Sequence, residues 1–470
     1  MALVQNAPSN VNAVKRQKTV ATPSAPSQLL RFEGHLHLRQ RLVLATISGR
    51  PVRIDKIRLA DDEYPGLADY EVSFLRLMEK VTNGSTLEIS YTGTSLLYKP
   101  GVITGGKISH DCPNSRAIGY FLEPMIALAP FAKVPFHLTL NGITNDNVDI
   151  CVDTLRTVTL PTLAKFLPTV ESQIPLDLKI TKRGAPPSGG GQILFQCPAI
   201  KSLKAGVTLT DPGLGVKRIR GIAYATRISP QMANRVVDAA RSLLSRYIPD
   251  VYLYTDVYKG AESGKGPGYG VSLVAETTTS VLYSSECAYQ PRKKAVQEML
   301  KEGDEIPGLS LGSGALDTKD AGDADEDELV VGAAAKPPVS TATQDGILGH
   351  LQNDYTFPTP EDLGIRAARL LLTEIRKGGC VDSVSQWLAI LMLALSPEDV
   401  GKVRVGTLTP MAVQYLRDLK QFLGVVFKIA EEPAEDPVDE EGNTRYTSLK
   451  GGVVLTCLGT GYVNVNKNVT

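Results

Sequence analysis

From about residue 30 onward the chain alternates between apolar positions at helical spacing and apolar positions at every second residue. Taken in order, these segments spell helix, strand, helix, strand, strand, and the series occurs three times. The first copy opens with LHLRQRLVLATISG, a helix closed by Gly49, and the strand PVRIDKI follows. Its second helix, LADYEVSFLRLMEKV, sets Phe74, Leu77, Met78 and Val81 on one face. TLEISY then alternates Leu87, Ile89 and Tyr91, and Gly93 turns the chain into TSLLYKPG.

The second copy runs SRAIGYFLEPMIALAPF, PFHLTLN, NVDICVDTLRTVTLPTLAKF, LDLKIT and GGGQILFQC. Leu138 with Leu140, and Leu178 with Ile180, are its inward-facing alternations. The third copy runs SVSQWLAILMLAL, GKVRVGTL, TPMAVQYLRDLKQFLG, VVFKIA and GGVVLTCLG. Its second helix has Thr409 as N-cap, Pro410 in the first helical position and Gly424 as terminator. The recurrence predicts an α/β fold in which one supersecondary unit is used three times around a shared core.

Two segments interrupt this scheme. Residues 200–295 predict a small inserted α/β domain, with a strand KRIRGIAYATRI and a helix opened by Ser229-Pro230. That helix sets Val236, Ala240, Leu243, Leu244 and Tyr247 on one face, and the strands DVYLYTDVY and YGVSLVAETTTSVLY follow it. Residues 302–345 are rich in Gly, Asp and Ala without periodicity and read as an acidic disordered loop. Residues 1–29 read as a disordered basic tail. The core is thereby divided into 30–199, holding two copies, and 346–470, holding the third. The last part opens with a helix capped by Thr359, with Ile365, Ala368, Leu372 and Ile375 on one face.

Charge changes this picture locally. Lys plus Arg and Asp plus Glu both number 50, so no global basic field points to nucleic acid. Yet residues 1–58 hold ten Lys/Arg against Glu33 and Asp55, and acids gather at 317–328 and 431–441. This fits polyanion contact on one face, or simply solvated charge. The cysteines at 112, 151, 197, 287, 380 and 457 are never closer than 39 residues, which excludes a zinc-type or redox pair. The longest apolar run, Trp387 to Leu395, is too short to span a bilayer, and no membrane contact is expected. An intracellular protein is expected, and VKRQK at 14–18 has the composition of a short nuclear-import signal.

The stretch RGAPPSGGGQI, Arg183 to Ile193, has the make-up of a backbone that approaches an anion. It is neither a P-loop nor a dinucleotide fingerprint, because a strand follows it. Its spacing resembles the signature of the RNA 3′-terminal phosphate cyclases. SGRPVRI at 48–54, YKPGVITGG at 98–106 and VDTLRTVTLPTLAKF at 152–166 agree with that family in order. The resemblance implies three repeats of two helices on a four-stranded sheet, with an inserted small α/β domain.

The family's chemistry is expected to be absent. Its enzymes attack ATP with a histidine in a His-x-x-Asp-Gln pattern, and here Gln386 is kept while Asp382 stands at the histidine's place. Ser383 and Ser385 lack an adjacent base. The Glu-Gly-Gly-Gly-Gln segment of active members reads Glu33, Gly34, His35, Leu36, His37, while Arg39 is kept and Arg41 follows. His110 and His137, beside strand patterns, read as structural. The candidate anion- or RNA-binding residues are therefore Arg39, Arg41, Lys182, Arg183, Gly189, Gly190 and Gly191, with no metal and no cofactor.

These departures resemble the family's catalytically inactive, nucleolar branch in eukaryotes. That resemblance implies an assembly factor of the early small-subunit pre-ribosome, located in the nucleus and nucleolus. Its implied partners are a nucleolar GTPase, pre-rRNA and components of the small-subunit processome. Two enzymatic alternatives stand beside it. One is a cyclase or ligase with a relocated nucleophile, His35 or His37; the other is a metal-dependent pre-rRNA endonuclease using Glu33, Asp111 and Asp382.

Overall fold

The computed structural model describes residues 29–169, 174–289, 359–431 and 452–467, and the architecture is mixed α/β. The expected tail over 1–28 and the acidic loop over 302–345 lie outside the described residues. The first sheet contains β1 (Leu30–Glu33), β2 (Val52–Asp55), β3 (Thr86–Ile89) and β4 (Leu96–Lys99) in the order β1-β2-β4-β3. Helices α1 (Leu38–Ser48) and α2 (Asp69–Val81) flank β2 in sequence. Gly49 ends α1 at a φ of 69°, a left-handed cap that costs glycine no Cβ clash.

The second sheet has β5 (Gly106–Asp111), β6 (Phe136–Gly142), β7 (Asp177–Lys182) and β8 (Gly191–Cys197) in the order β5-β6-β8-β7. Helix α3 (Ile118–Leu128) precedes β6. After β6 come α4 (Val152–Thr154), a π turn (Leu155–Thr159) and α5 (Leu160–Ala164).

A third sheet starts with β9 (Thr208–Leu209), and the chain leaves it at once for an inserted unit. That unit contains β10 (Val216–Thr226), α6 (Pro230–Leu244), β11 (Val251–Tyr258), β12 (Gly268–Thr277) and β13 (Leu282–Ala288). Its sheet order is β11-β10-β12-β13, and α7 (Pro360–Lys377) packs with α6 on one side of it. The chain returns to the third sheet through α8 (Gln386–Leu395), β14 (Val400–Val405), α9 (Pro410–Leu423), β15 (Lys428–Glu431) and β16 (Val453–Leu458). The order there is β9-β14-β16-β15. In these three sheets the first strand runs parallel to the second, and the other two pairings are antiparallel.

The leading strands β1, β5 and β9 are absent from the expected series. β1 and β9 have four and two residues, too few to display an alternation. β9 also falls inside the stretch assigned to the insertion, and α7, assigned with the third copy, contributes Leu363, Ala367, Ala368, Leu371 and Ile375 to the insertion's core. The expected long strand 269–283 is a hairpin, turned at Ser280 with a φ of 61°. Tyr247 lies beyond the end of α6 and is exposed rather than on its apolar face. Ile89 and Tyr91 are exposed too, because β3 is an edge strand that stops at Ile89 and leaves Tyr91 in the following turn.

Helices α3 and α8 are buried along their whole length, and α1 from Leu38 to Ile47. An all-round apolar sequence such as QWLAILMLAL has no solvent face to offer. Each fully buried Leu or Ile there contributes about 1.5–3 kcal/mol of transfer free energy. The main apolar cluster draws on α1, α3, α8 and the inner faces of the first three sheets. Two of the charged groups expected to bind an anion, Arg39 and Arg41, lie on α1.

Candidate functional site

Glu123 is the one acid in the apolar run of α3, IGYFLEPMIAL, and all three buried helices meet at it. Arg39 of α1 reaches its Oε2 at 3.1 Å, and Trp387 of α8 donates its ring N–H to Oε1 at 2.5 Å. Arg39 also donates to the Tyr120 carbonyl at 2.8 Å and lies 4.1 Å over the Tyr120 ring. Burial pushes the Glu123 carboxyl up, against the pull of Arg39 and the Trp387 donor. Arg41, one turn edge away on α1, pairs with buried Asp418 of α9 at 3.3 Å and stacks over Phe32.

Arg183 is 1% exposed. Its two terminal nitrogens bind the two Asp153 oxygens at 2.7 Å each, and Asn145 supports the pair at 3.2 Å. Tyr224 and Tyr258 of the inserted sheet lie within 4.8 and 5.3 Å of the guanidinium. Burial alone would raise the Asp153 carboxyl, but Arg183 outweighs it and holds the group below its ordinary range. The expectation of an anion-facing groove is thereby corrected. Arg39, Arg41 and Arg183 are turned inward onto carboxylates that belong to other elements, whereas Lys182 is exposed.

The glycine run is also occupied by the protein itself. Gly189 N–H donates to the Ala185 carbonyl at 2.9 Å, and its own carbonyl accepts from Lys265 N–H at 2.9 Å. Gly264 N–H donates to the Arg183 carbonyl at 2.6 Å, and Arg183 N–H to Glu262 at 3.0 Å. A Cβ on Gly184 would stand 2.3 Å from the Gly191 nitrogen, and one on Gly264 2.5 Å from the Gly189 oxygen. Gly189 and Gly190 add φ values of 61° and 81°. The missing side chains let the 183–191 loop close against the 260–268 loop of the insertion.

Asp382, expected from the sequence to stand at the family histidine's place, is 1% exposed and caps the turn that leads into α8. Its Oδ1 accepts from Val384 N–H at 2.9 Å, and its Oδ2 accepts from both the N–H and the hydroxyl of Ser284 on β13. Burial pushes this carboxyl up to about 7, and neighbouring Glu374 adds to the rise against the three donors. Glu374 in turn accepts from Ser383 N–H and from Lys377. A carboxylate engaged by three protein donors is a poor nucleophile and a good structural bracket. Gln386 brackets the other side, accepting from Thr409 N–H and donating to the Thr407 carbonyl.

The remaining candidates stay apart. Glu33 pairs with Lys56 at 2.9 Å and Asp111 accepts from Asn141, so neither joins Asp382. Among the described residues no group of three or more His, Cys, Asp or Glu is placed to hold a metal ion. His35 and His37 are half-buried in the turn before α1, His37 at a φ of 60° as its N-cap. His110 is buried, with Nε2 at 2.9 Å from Ser73 Oγ and Nδ1 at 3.4 Å from Lys80. Burial and Lys80 push it down to about 4, so it is neutral at pH 7. His137 contacts Gln196 across the second sheet.

A comparison with protein families matches residues 30–429 to the family described as RNA 3'-terminal phosphate cyclase. The chain belongs to that family. Among curated proteins, the RNA 3'-terminal phosphate cyclase-like protein of Homo sapiens is 45% identical over 442 residues, covering 94% of this chain and 98% of the relative. The probable cyclase-like protein of Dictyostelium discoideum is 45% identical over 441 residues, 94% and 100% of the two chains. The protein named rRNA processing protein rcl1 in Schizosaccharomyces pombe is 40% identical over 444 residues, 94% and 99%.

For a cyclase family member, then, the decisive local features are the buried Asp382 bracket and the inward arginines. Sequence reasoning missed Glu123, Asp153, Asp418 and Ser284, the groups that engage the candidate residues. A signal existed for Glu123 alone, a single acid within an apolar helix.

Proposed function

We propose that this family member is a non-catalytic assembly factor of the early small-subunit pre-ribosome. It supports pre-rRNA processing by holding a nucleolar GTPase and pre-rRNA, and it works in the nucleus and nucleolus. The observation that carries the reading is Asp382, a capped and buried carboxylate where the family's enzymes are expected to carry their nucleophile. Relatives at 45% and 40% identity support it through their names, cyclase-like and rRNA processing protein. In the same reading the three like-ordered sheets are one supersecondary unit used three times around the buried helices, which serves as a rigid scaffold. Affinity purification of the tagged chain from nuclear extract tests the role. Co-purification of small-subunit rRNA precursors and a GTPase is the expected result; a preparation free of both would overturn it.

A further inference from the structure

The insertion's outer strand β11 places Tyr252, Tyr254, Asp256 and Tyr258 on the sheet face opposite α6 and α7. The inner part of that face rests on the core. Ser284 meets Asp382, Glu286 accepts from Thr154 at 2.5 Å, and Arg183 sits against Tyr224 and Tyr258. The outer part does not: Tyr252 and Tyr254 are 60% and 45% exposed, with ring centroids 6.1 Å apart and planes tilted by 40°. Adjacent large aromatics on an open edge strand are a liability unless something covers them.

The surroundings select the cover. Arg220 stands directly opposite Tyr252 in the β10–β11 register and is forked onto Asp250 at 2.8 and 3.0 Å, while Asp256, Asp153 and the exposed Arg156 of the π turn all act by their charge on Tyr254. Residues 216–289 hold nine Lys/Arg against six Asp/Glu, in a chain whose totals are 50 of each. Open rings beside the exposed Arg156, on a unit with an excess of cations, match a partner with stackable bases and phosphates.

We propose that Tyr252 and Tyr254 form a base-stacking platform for single-stranded RNA, with Arg156 holding a phosphate beside it. This rests on the rRNA-processing reading and gives it a surface distinct from the closed glycine loop. The test is fluorescence anisotropy of the full chain with a labelled single-stranded RNA of about 12 nucleotides, within the span of such sites. Tyr252→Ala with Tyr254→Ala is expected to weaken binding at least about tenfold at unchanged thermal midpoint, while the Phe pair stays within about twofold. Arg156→Gln is expected to lower the slope of log affinity against log salt by about one. Wild-type affinity in the Ala pair overturns the platform and leaves the rRNA-processing role standing. A wild-type chain that binds no RNA yet co-purifies with rRNA precursors also overturns the platform alone; failure of both assays removes the role as well.

Discussion

Asp382 Oδ2 accepts a hydrogen bond from the Ser284 hydroxyl at 2.7 Å, which ties the turn before α8 to the last strand of the inserted sheet. With Val384 N–H on Oδ1 and Ser284 N–H on Oδ2, the side chain satisfies three buried donors. Asp382→Ala is expected to cost about 3 kcal/mol or more, since each stranded donor costs about 1–3 kcal/mol. Ser284→Ala removes one donor together with its hydroxyl and is expected to cost about 1 kcal/mol. Urea unfolding monitored through Trp387, the single tryptophan, reads both.

The raised Asp382 carboxyl also sets a pH dependence. With a value of about 7 in the fold against 3.8 ordinarily, the folded state binds more protons than the unfolded state between those limits. Its contribution to stability therefore falls as pH rises from about 4 to about 7, and is level outside that window. The stability gap between wild type and Asp382→Asn is expected to shrink across that range. A constant gap in thermal unfolding at successive pH values would contradict the assignment.

His110 acts with the opposite slope. Its value of about 4, against 6.5 ordinarily, means that the unfolded chain takes up the proton first on acidification. Its contribution is complete above about pH 6.5 and is lost as pH falls toward 4. Imidazole resonances of His110 are expected to remain those of the neutral ring at pH 5 in NMR titration. A midpoint near 6.5 would show that the burial of the His110 ring, with its contact to Lys80, does not persist in solution.

Arg39 and Glu123 form a buried pair at the junction of α1, α3 and α8. Glu123→Gln is expected to cost about 3–5 kcal/mol, because it leaves the guanidinium without its countercharge. Replacing both partners with Met is expected to cost less than that single change, because no uncompensated charge remains. A double variant less stable than Glu123→Gln would show that the junction depends on the ion pair itself.

Much of the fold was legible because long helices and alternating strands leave periodic traces, as in LADYEVSFLRLMEKV and PFHLTLN. The two-residue strand Thr208–Leu209 leaves none, so the third sheet's first strand was assigned to the insertion. The groove failed for a different reason. Asp418 lies 377 residues from Arg41 and Glu123 lies 84 from Arg39, so local sequence shows the cations but not the carboxylates that fold onto them. The glycine loop was misread in the same way. Its backbone does approach another chain segment closely, but that segment is the 260–268 loop of the same protein. Asp382 stood out in the sequence as a candidate, while its partner Ser284 needed the fold.

The proposed role has structure replacing the family's chemistry at Asp382. Its most direct test is incubation of the full chain with magnesium and ATP labelled at the α-phosphate, followed by acid quench and counting of protein-bound label. No bound nucleotide is expected, in the wild type and equally in Asp382→His, since the Gly34–His37 segment is also read as departing from the family's nucleotide loop. Stoichiometric, acid-labile label on the wild-type chain would contradict it.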